Sequence, residues 1–157
     1  MYPVVAIGKN VKKFNVGDHV FGTTGFAGGA HAEYVCLPEN GVIAHKPDTL
    51  TFEQAAALPI GAICALSFLK KAKVKRDNKV LIYGASGSIG TYSVQLAKFF
   101  DAFVTGVCST ENTELVTSLG ADKIIDYTKK DFASGEEQYD LIFDTVGKIS
   151  RSECKNV

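Results

Sequence analysis

The stretch "KVLIYGASGSIGTYSVQLAK", Lys79 to Lys98, decides the fold. Its opening residues, Lys79 to Tyr83, form a short apolar, β-branched run that predicts a strand. A glycine-rich turn follows. From Ile89 to Phe100 the pattern then predicts a helix, with Ile89, Val94, Leu96 and Ala97 available for a sheet-facing side. Gly84, Gly87 and Gly90 are spaced GxxGxxG. Against the G-x-G-x-x-G fingerprint, Ala85 stands at the first glycine and Gly87 and Gly90 match the other two. Position assigns the roles. Gly87 admits a pyrophosphate close to the backbone, and Gly90 lets the helix pack close to its strand. The helix N-terminus supplies free N–H groups and a partial positive charge for the anion. A lone glycine motif is weak, because tight turns favour glycine for their own reasons. Here a strand precedes it and a helix follows, which favours a dinucleotide cradle over a merely structural turn. No GK[ST] is present for a P-loop, and Ser88 interrupts the glycine offsets of short-chain dehydrogenases.

Outward from this unit the chain alternates. "FVTGVCS" predicts a second strand, and "ENTELVTSLG" a helix stopped by Gly120. "KIIDY" and "YDLIFDTVG" predict a third and a fourth strand. Alternation of this kind calls for a parallel sheet. About 20 residues after the glycine loop, a carboxylate would accept hydrogen bonds from the adenosine ribose of NAD. The sequence has Cys108, Ser109 and Thr110 there, which tolerate a 2′-phosphate and lean towards NADP(H), while Glu111 immediately follows and pulls the other way.

Towards the N-terminus the period changes. "TFEQAAALPIGAICALSFLKKA" begins with Thr51 as an N-cap and predicts helix, broken into two by Pro59. Before it, "VVAIGKNV", "DHVFGTT", "AEYVCLP" and "GVIAHKP" predict short strands, and "FAGGAH" a turn. Such a run suggests part of a small barrel or sandwich.

The 157 residues have 46% hydrophobic and 22% charged content and a formal net charge of zero. A buried core is expected, and no basic block tracks a nucleic-acid backbone. No apolar run is expected to approach the roughly 20 residues that span a bilayer, and the first residues lack the pattern of a signal peptide. These features set the expectation of a cytoplasmic protein with no nucleic-acid or membrane partner. Cys36, Cys64, Cys108 and Cys154 lack CxxC spacing and read as reduced, mostly buried thiols. His19, His31 and His45 are scattered.

The ordered set "VGDHVFG … GGAHAEYV … AAALP … VLIYGASGSIGTYSVQLAK … LGADKIIDY … YDLIFDTVG" resembles the medium-chain dehydrogenase/reductase superfamily, and within it the zinc-independent quinone- and enone-reductase branch. The resemblance covers nearly the whole chain. It implies an α/β fold: a Rossmann-like parallel sheet, of which the first four strands are present, preceded by part of a chaperonin-10-like β-barrel. The implied organisation is a partial catalytic barrel over 1–47, connecting helices over 48–78 and an incomplete dinucleotide-binding domain over 79–157. Family members carry further residues at both ends. The resemblance therefore implies an internal piece of a longer enzyme, weakly active or inactive by itself.

The activity so implied is hydride transfer from a nicotinamide cofactor to a quinone, enone or carbonyl. Gly84, Ala85, Ser86, Gly87, Ser88, Ile89 and Gly90 match the pyrophosphate loop. Ser109 and Thr110, with Tyr127, match the neighbourhood of the adenosine 2′-phosphate, and Thr145 and Val146 the turn by the nicotinamide-side ribose. Asp144 reads equally as a turn cap. NADP(H) is expected over NAD(H). No zinc is expected: Gly22 runs directly into the glycine loop where zinc-type members insert a four-cysteine lobe, and Ile60 stands near a zinc-ligand position. No general acid is assigned; His45 and Tyr34 read as structural. Glu111 and Glu114 stand where a phosphate-pairing lysine is common, Asp101 where glycine is usual, and Cys64 where threonine is common. The unfinished sheet leaves an open edge that invites a homo-oligomer. A zinc-type alcohol dehydrogenase and a non-catalytic nucleotide-binding remnant stay open as alternatives.

Overall fold

The computed structural model describes residues 3–135, 137–152, 154 and 157. The chain divides into two compact units, Met1–Ile60 and Gly61–Val157.

In the first unit β1 (Val20–Gly22) pairs antiparallel with β2 (Ile43–His45), and Pro3 bridges to His19. "VVAIGKNV" and "AEYVCLP", expected as strands, are not strands. Strand propensity becomes a strand where a partner satisfies the ladder and a core receives the apolar face. Val4 exchanges backbone bonds with Asp18 and Gly17, but no core receives the apolar faces: Val5, Ile7, Tyr34 and Val35 are all exposed. His45 stacks on Phe14 with ring centroids 4.9 Å apart and contacts the Lys13 carbonyl, a structural role, and Tyr34 lies on the surface.

The predicted cap at Thr51 is present as a capping box. The Gln54 N–H donates to Thr51 Oγ1 (3.2 Å), and the Thr51 N–H donates to Gln54 Oε1 (2.9 Å). It opens α1 (Phe52–Lys71), which runs through Pro59 unbroken, correcting the expectation of two helices. Proline forfeits one hydrogen bond, to the carbonyl of Ala55, while the i, i+4 stripes Ala55–Pro59 and Gly61–Ala65–Leu69 stay buried. Their burial holds the helix across the gap. At 20 residues α1 is also long and apolar enough, by length and composition, to cross a membrane, which corrects the expectation that no run approaches that length.

The second unit is a four-stranded parallel sheet in the order β5-β4-β3-β6: β3 (Lys79–Tyr83), β4 (Phe103–Cys108), β5 (Lys123–Asp126) and β6 (Leu141–Asp144). Val80, Leu81 and Ile82 of β3 have no exposed surface. A continuous apolar run is what a central parallel strand, covered on both faces, requires, and each such side chain contributes about 1.5–3 kcal/mol of burial. On one face α2 (Ser88–Phe99) packs Gly90, Ser93, Val94 and Ala97, an i, i+3, i+4, i+7 stripe, into a core with Val80, Ile82, Val104 and Leu69. Of the positions expected on that side, Val94 and Ala97 are buried and Ile89 and Leu96 half-buried. Next, α3 (Thr113–Ser118) buries Val116 on the same face, and Gly120, at φ +105°, turns the chain out of it. Gly106 of β4 makes room for α3, since a Cβ there would lie 2.6 Å from Val116 Cγ1.

From β5 to β6 the chain passes through a loop with one 3₁₀ turn, Phe132–Ser134, in place of a helix. Phe132 is buried with Leu81 and Val107 on the opposite face of the sheet. "KKDFASGEE" has no helical apolar period, so the crossover is secured by two aromatics, Phe132 and Tyr139, and not by a helix face.

Candidate functional site

The chain leaves β3, winds outward through β4 and β5, and returns to the other side of β3 as β6. The reversal of strand order opens a crevice at the carboxyl ends of β3 and β6, where ligands of open α/β sheets bind. The glycine loop lies there. Together with the end of β4, Tyr127 and the turn after β6, it lines a groove of about 400 Å³.

Each glycine of the loop has its own geometric reason. Gly84 adopts φ +76°, and a Cβ on it would lie 2.7 Å from Thr145 Oγ1 and overlap Val146 Cγ2, so this position permits close approach of the β6 turn. Gly90 sits against the turn itself: a Cβ would overlap the Gly84 carbonyl and lie 2.8 Å from Ala85 Cα. At Gly87 an added Cβ would meet a single atom, Gly84 O at 3.3 Å, a tight contact on one side with no other neighbour within 4 Å. Gly87 is exposed on the groove and is the N-cap of α2, where no side chain caps the helix. The first N–H groups of α2, those of Ser88, Ile89 and Gly90, have no carbonyl a turn earlier within the helix. These residues fit an anion, and the Gly87 space admits it to the backbone. Gly61 of α1 completes the support, since a Cβ on it would lie 2.8 Å from Ser88 O, Ser88 Oγ and Tyr92 Cδ2.

The β6 turn is fastened to this loop. Thr145 Oγ1 donates to the Tyr83 carbonyl (2.8 Å) and lies 3.2 Å from the Gly84 carbonyl, and the Thr145 N–H donates to Tyr83 O (3.1 Å). Asp144 caps the turn: Oδ1 accepts the N–H groups of Val146 and Gly147 (both 2.9 Å) and Oδ2 that of Ile149 (2.8 Å). Burial works to raise the Asp144 pKa, but these backbone donors together hold it below the usual carboxylate range. Thr145 is thus a fastening of the loop as well as a lining residue.

Eight of the expected residues line the groove: Gly84, Ser86, Gly87, Ser88, Ile89, Tyr127, Thr145 and Val146. Ala85 and Gly90 are buried behind it, as their packing requires. Ser109 and Thr110 do not line it. The Ser109 hydroxyl accepts from Asn112 Nδ2 (2.9 Å), and the Thr110 hydroxyl donates to Asp126. Asp126 also accepts from Thr128 and pairs with Lys129 at 3.2 Å. The hydroxyls of Thr110 and Thr128 hold its carboxyl far below the ordinary range. Glu111 is exposed and outside the groove.

Cys108, read in the sequence at the diagnostic end of the second strand, lines the groove, and one further lining residue, Lys148, escaped the sequence reading. Cys108 is the one buried cysteine of the four, which corrects the expectation of mostly buried thiols: Cys36 is exposed, and Cys64 and Cys154 are intermediate. Burial pushes the Cys108 thiol up, so it faces the groove neutral. Asp101, expected to sit poorly where glycine is usual, adopts φ +59° and pairs with Arg76 at 3.0 Å. Asp tolerates this region better than most side chains. Among the described residues no three His, Cys, Asp or Glu side chains converge to hold a metal ion.

A family model for zinc-binding dehydrogenases matches residues 88–155. The human mitochondrial NAD(P)H oxidoreductase RTN4IP1 is 42% identical over 156 residues, covering 92% of this chain and 38% of that protein. The 2-methylene-furan-3-one reductase of Solanum lycopersicum is 37% identical over 154 residues, 92% of this chain and 39% of its own. Among solved structures, the quinone oxidoreductase from Coxiella burnetii superposes with a TM-score of 0.86 at 36% identity, over 92% of this chain and 46% of that one. The chain spans about two fifths of the length of the curated relatives it matches.

Proposed function

This chain has the sequence and the fold of the quinone-oxidoreductase branch of the medium-chain dehydrogenase/reductase superfamily, and on that premise we propose that it serves NAD(P)H-dependent reduction of a quinone or an enone. The observation that carries the reading is the N-terminus of α2, capped by no side chain, opening on the groove beside Gly87. A reduced nicotinamide dinucleotide, when bound, supplies the hydride. The residues of this chain bind and orient it. Ser88 and Ile89 present backbone N–H groups to the pyrophosphate, Tyr127 lines the adenosine side, and Thr145 and Val146 form the wall on the nicotinamide side. The relatives named for quinone and enone reduction support the substrate class.

We further propose that NADPH is preferred to NADH and that the reaction is independent of zinc. The preference is supported by the groove having no carboxylate in its lining among the described residues, and by Asp126, the acid at the end of β5, being engaged by Thr110, Thr128 and Lys129. Parallel calorimetric titration with NADPH and NADH tests both the site and the preference. Saturable binding of both with NADPH the tighter is expected. Equal affinities would remove the preference, and no heat with either would remove the site. Metal analysis of the purified protein tests zinc independence, with stoichiometric zinc as the contrary result.

A further inference from the structure

Charge in the groove is distributed unevenly. Among the described residues its lining consists of glycine backbone, neutral side chains and a single ionised group, Lys148. The Lys148 side chain is exposed and has no carboxylate partner among the described residues. Asp144, the acid nearest in sequence, is already occupied by the backbone N–H groups of Val146, Gly147 and Ile149. Those bonds also fix the backbone on both sides of Lys148. Through Thr145 the same turn is fastened to the carbonyls of Tyr83 and Gly84, at the foot of the glycine loop. A lysine is therefore mounted on a clamped turn and faces the same groove as the uncapped helix N-terminus.

We propose that Lys148 supplies the counter-charge to the pyrophosphate of a dinucleotide seated on the glycine loop; this rests on the reading of the groove as a dinucleotide site. Backbone N–H groups and a helix terminus provide only partial positive charge, whereas a pyrophosphate diester carries two full negative charges. One ammonium on the opposite wall answers part of that excess. Because the backbone at Lys148 is already held, the ordering left on binding is that of the side chain alone. The pyrophosphate is common to both nicotinamide dinucleotides, so Lys148 acts on affinity and leaves the choice between them to other residues.

Calorimetric titration of the chain and of Lys148→Met and Lys148→Arg with NADPH and NADH tests the assignment. Lys148→Met is expected to weaken both cofactors by the same factor, about tenfold, the scale of one charge-assisted hydrogen bond to phosphate. Lys148→Arg is expected to restore most of the loss. Added salt should weaken the unaltered chain more than Lys148→Met, as screening of a charge pair requires. Unchanged affinity in Lys148→Met overturns the proposal, and so does a loss confined to NADPH, which would place the lysine at the 2′-phosphate. If the unaltered chain binds neither dinucleotide, the groove reading falls and the role of Lys148 falls with it.

Discussion

At the scale of single residues, the glycines of one short loop serve opposite purposes, and substitution separates them. A Cβ at Gly87 meets only the Gly84 carbonyl, so Gly87→Val should lower the melting temperature modestly, through that contact and a poorer N-cap, while the branched side chain occupies the volume a pyrophosphate needs. Loss of NADPH binding by more than about tenfold is expected, the scale set by removing charge-assisted backbone contacts; retained affinity with an intact fold would show that the anion sits elsewhere. Gly90→Ala should behave in reverse, because its Cβ meets the Gly84 carbonyl and Ala85. Overpacking of that kind costs roughly 1–3 kcal/mol, readable in chemical denaturation without any ligand. Asp144 adds a pH dependence. Its folded pKa is depressed, so its stabilisation is complete above the unfolded value of about 3.9 and is lost as pH falls through the folded value. Asp144→Asn should therefore be less stable at neutral pH and lose stability less steeply below pH ~4. Parallel denaturation curves across that range, with identical slopes for both proteins, would contradict the capping role.

At the scale of elements, α2 supports the site through a narrow stripe. Val94 is fully buried against β3 and β4, whereas Gln95 next to it is exposed. Val94→Ala should cost roughly 2 kcal/mol through lost burial and a residual cavity, and Gln95→Ala should be near neutral; equal effects in urea titration would refute the helix orientation. The orientation of α2 was partly legible in the sequence. Val94 and Ala97 announce the stripe, while Ser93 is buried with them because its hydroxyl donates to the Ile89 carbonyl (2.8 Å), a local bond that composition does not reveal. The strands of the second unit were legible for a simple reason: a central parallel strand must be apolar throughout, and Val80 to Ile82 are. The two lost strands of the first unit carry the same residue types without a core to receive them. Among site residues, the glycine loop was readable from spacing. Lys148 was not, because the turn that carries it, capped locally by Asp144, is brought to the glycine loop by the Thr145 bond to Tyr83, a contact across the sheet. Ser109 and Thr110 stand at the right place in the strand order, yet their hydroxyls are drawn to Asn112 and Asp126, partners that follow them in the chain.

At the scale of the whole molecule, the two units are unequal in the core each possesses. In Met1–Ile60 the buried hydrophobic residues are Phe14 and Ala55, and Pro59 is buried beside them in sequence; in Gly61–Val157 Leu69, Val80, Leu81, Ile82, Val94, Val104, Val107 and Val116 are among those buried. Local stability follows the apolar surface removed from water and the protection of backbone hydrogen bonds. The first unit pairs six residues in β1 and β2 and exposes Phe26, Tyr34 and Val35. It is therefore the low-stability part of the chain, and the groove at the glycine loop is lined by residues of the other part. Hydrogen exchange should be slowest in β3 and β4 and fast throughout residues 23–42. Limited proteolysis should cut first within 23–42, the exposed stretch between β1 and β2. The cut protein should keep its NADPH affinity, since every residue lining the groove lies between Gly84 and Lys148. Turnover with a quinone is a separate matter. The groove lining offers no histidine or carboxylate to donate a proton, so the purified chain is expected to bind NADPH while oxidising it slowly in a spectrophotometric assay. Rapid NADPH oxidation on addition of quinone would mean that proton delivery needs no such group from the protein, and that the sheet domain carries more of the chemistry than its lining suggests.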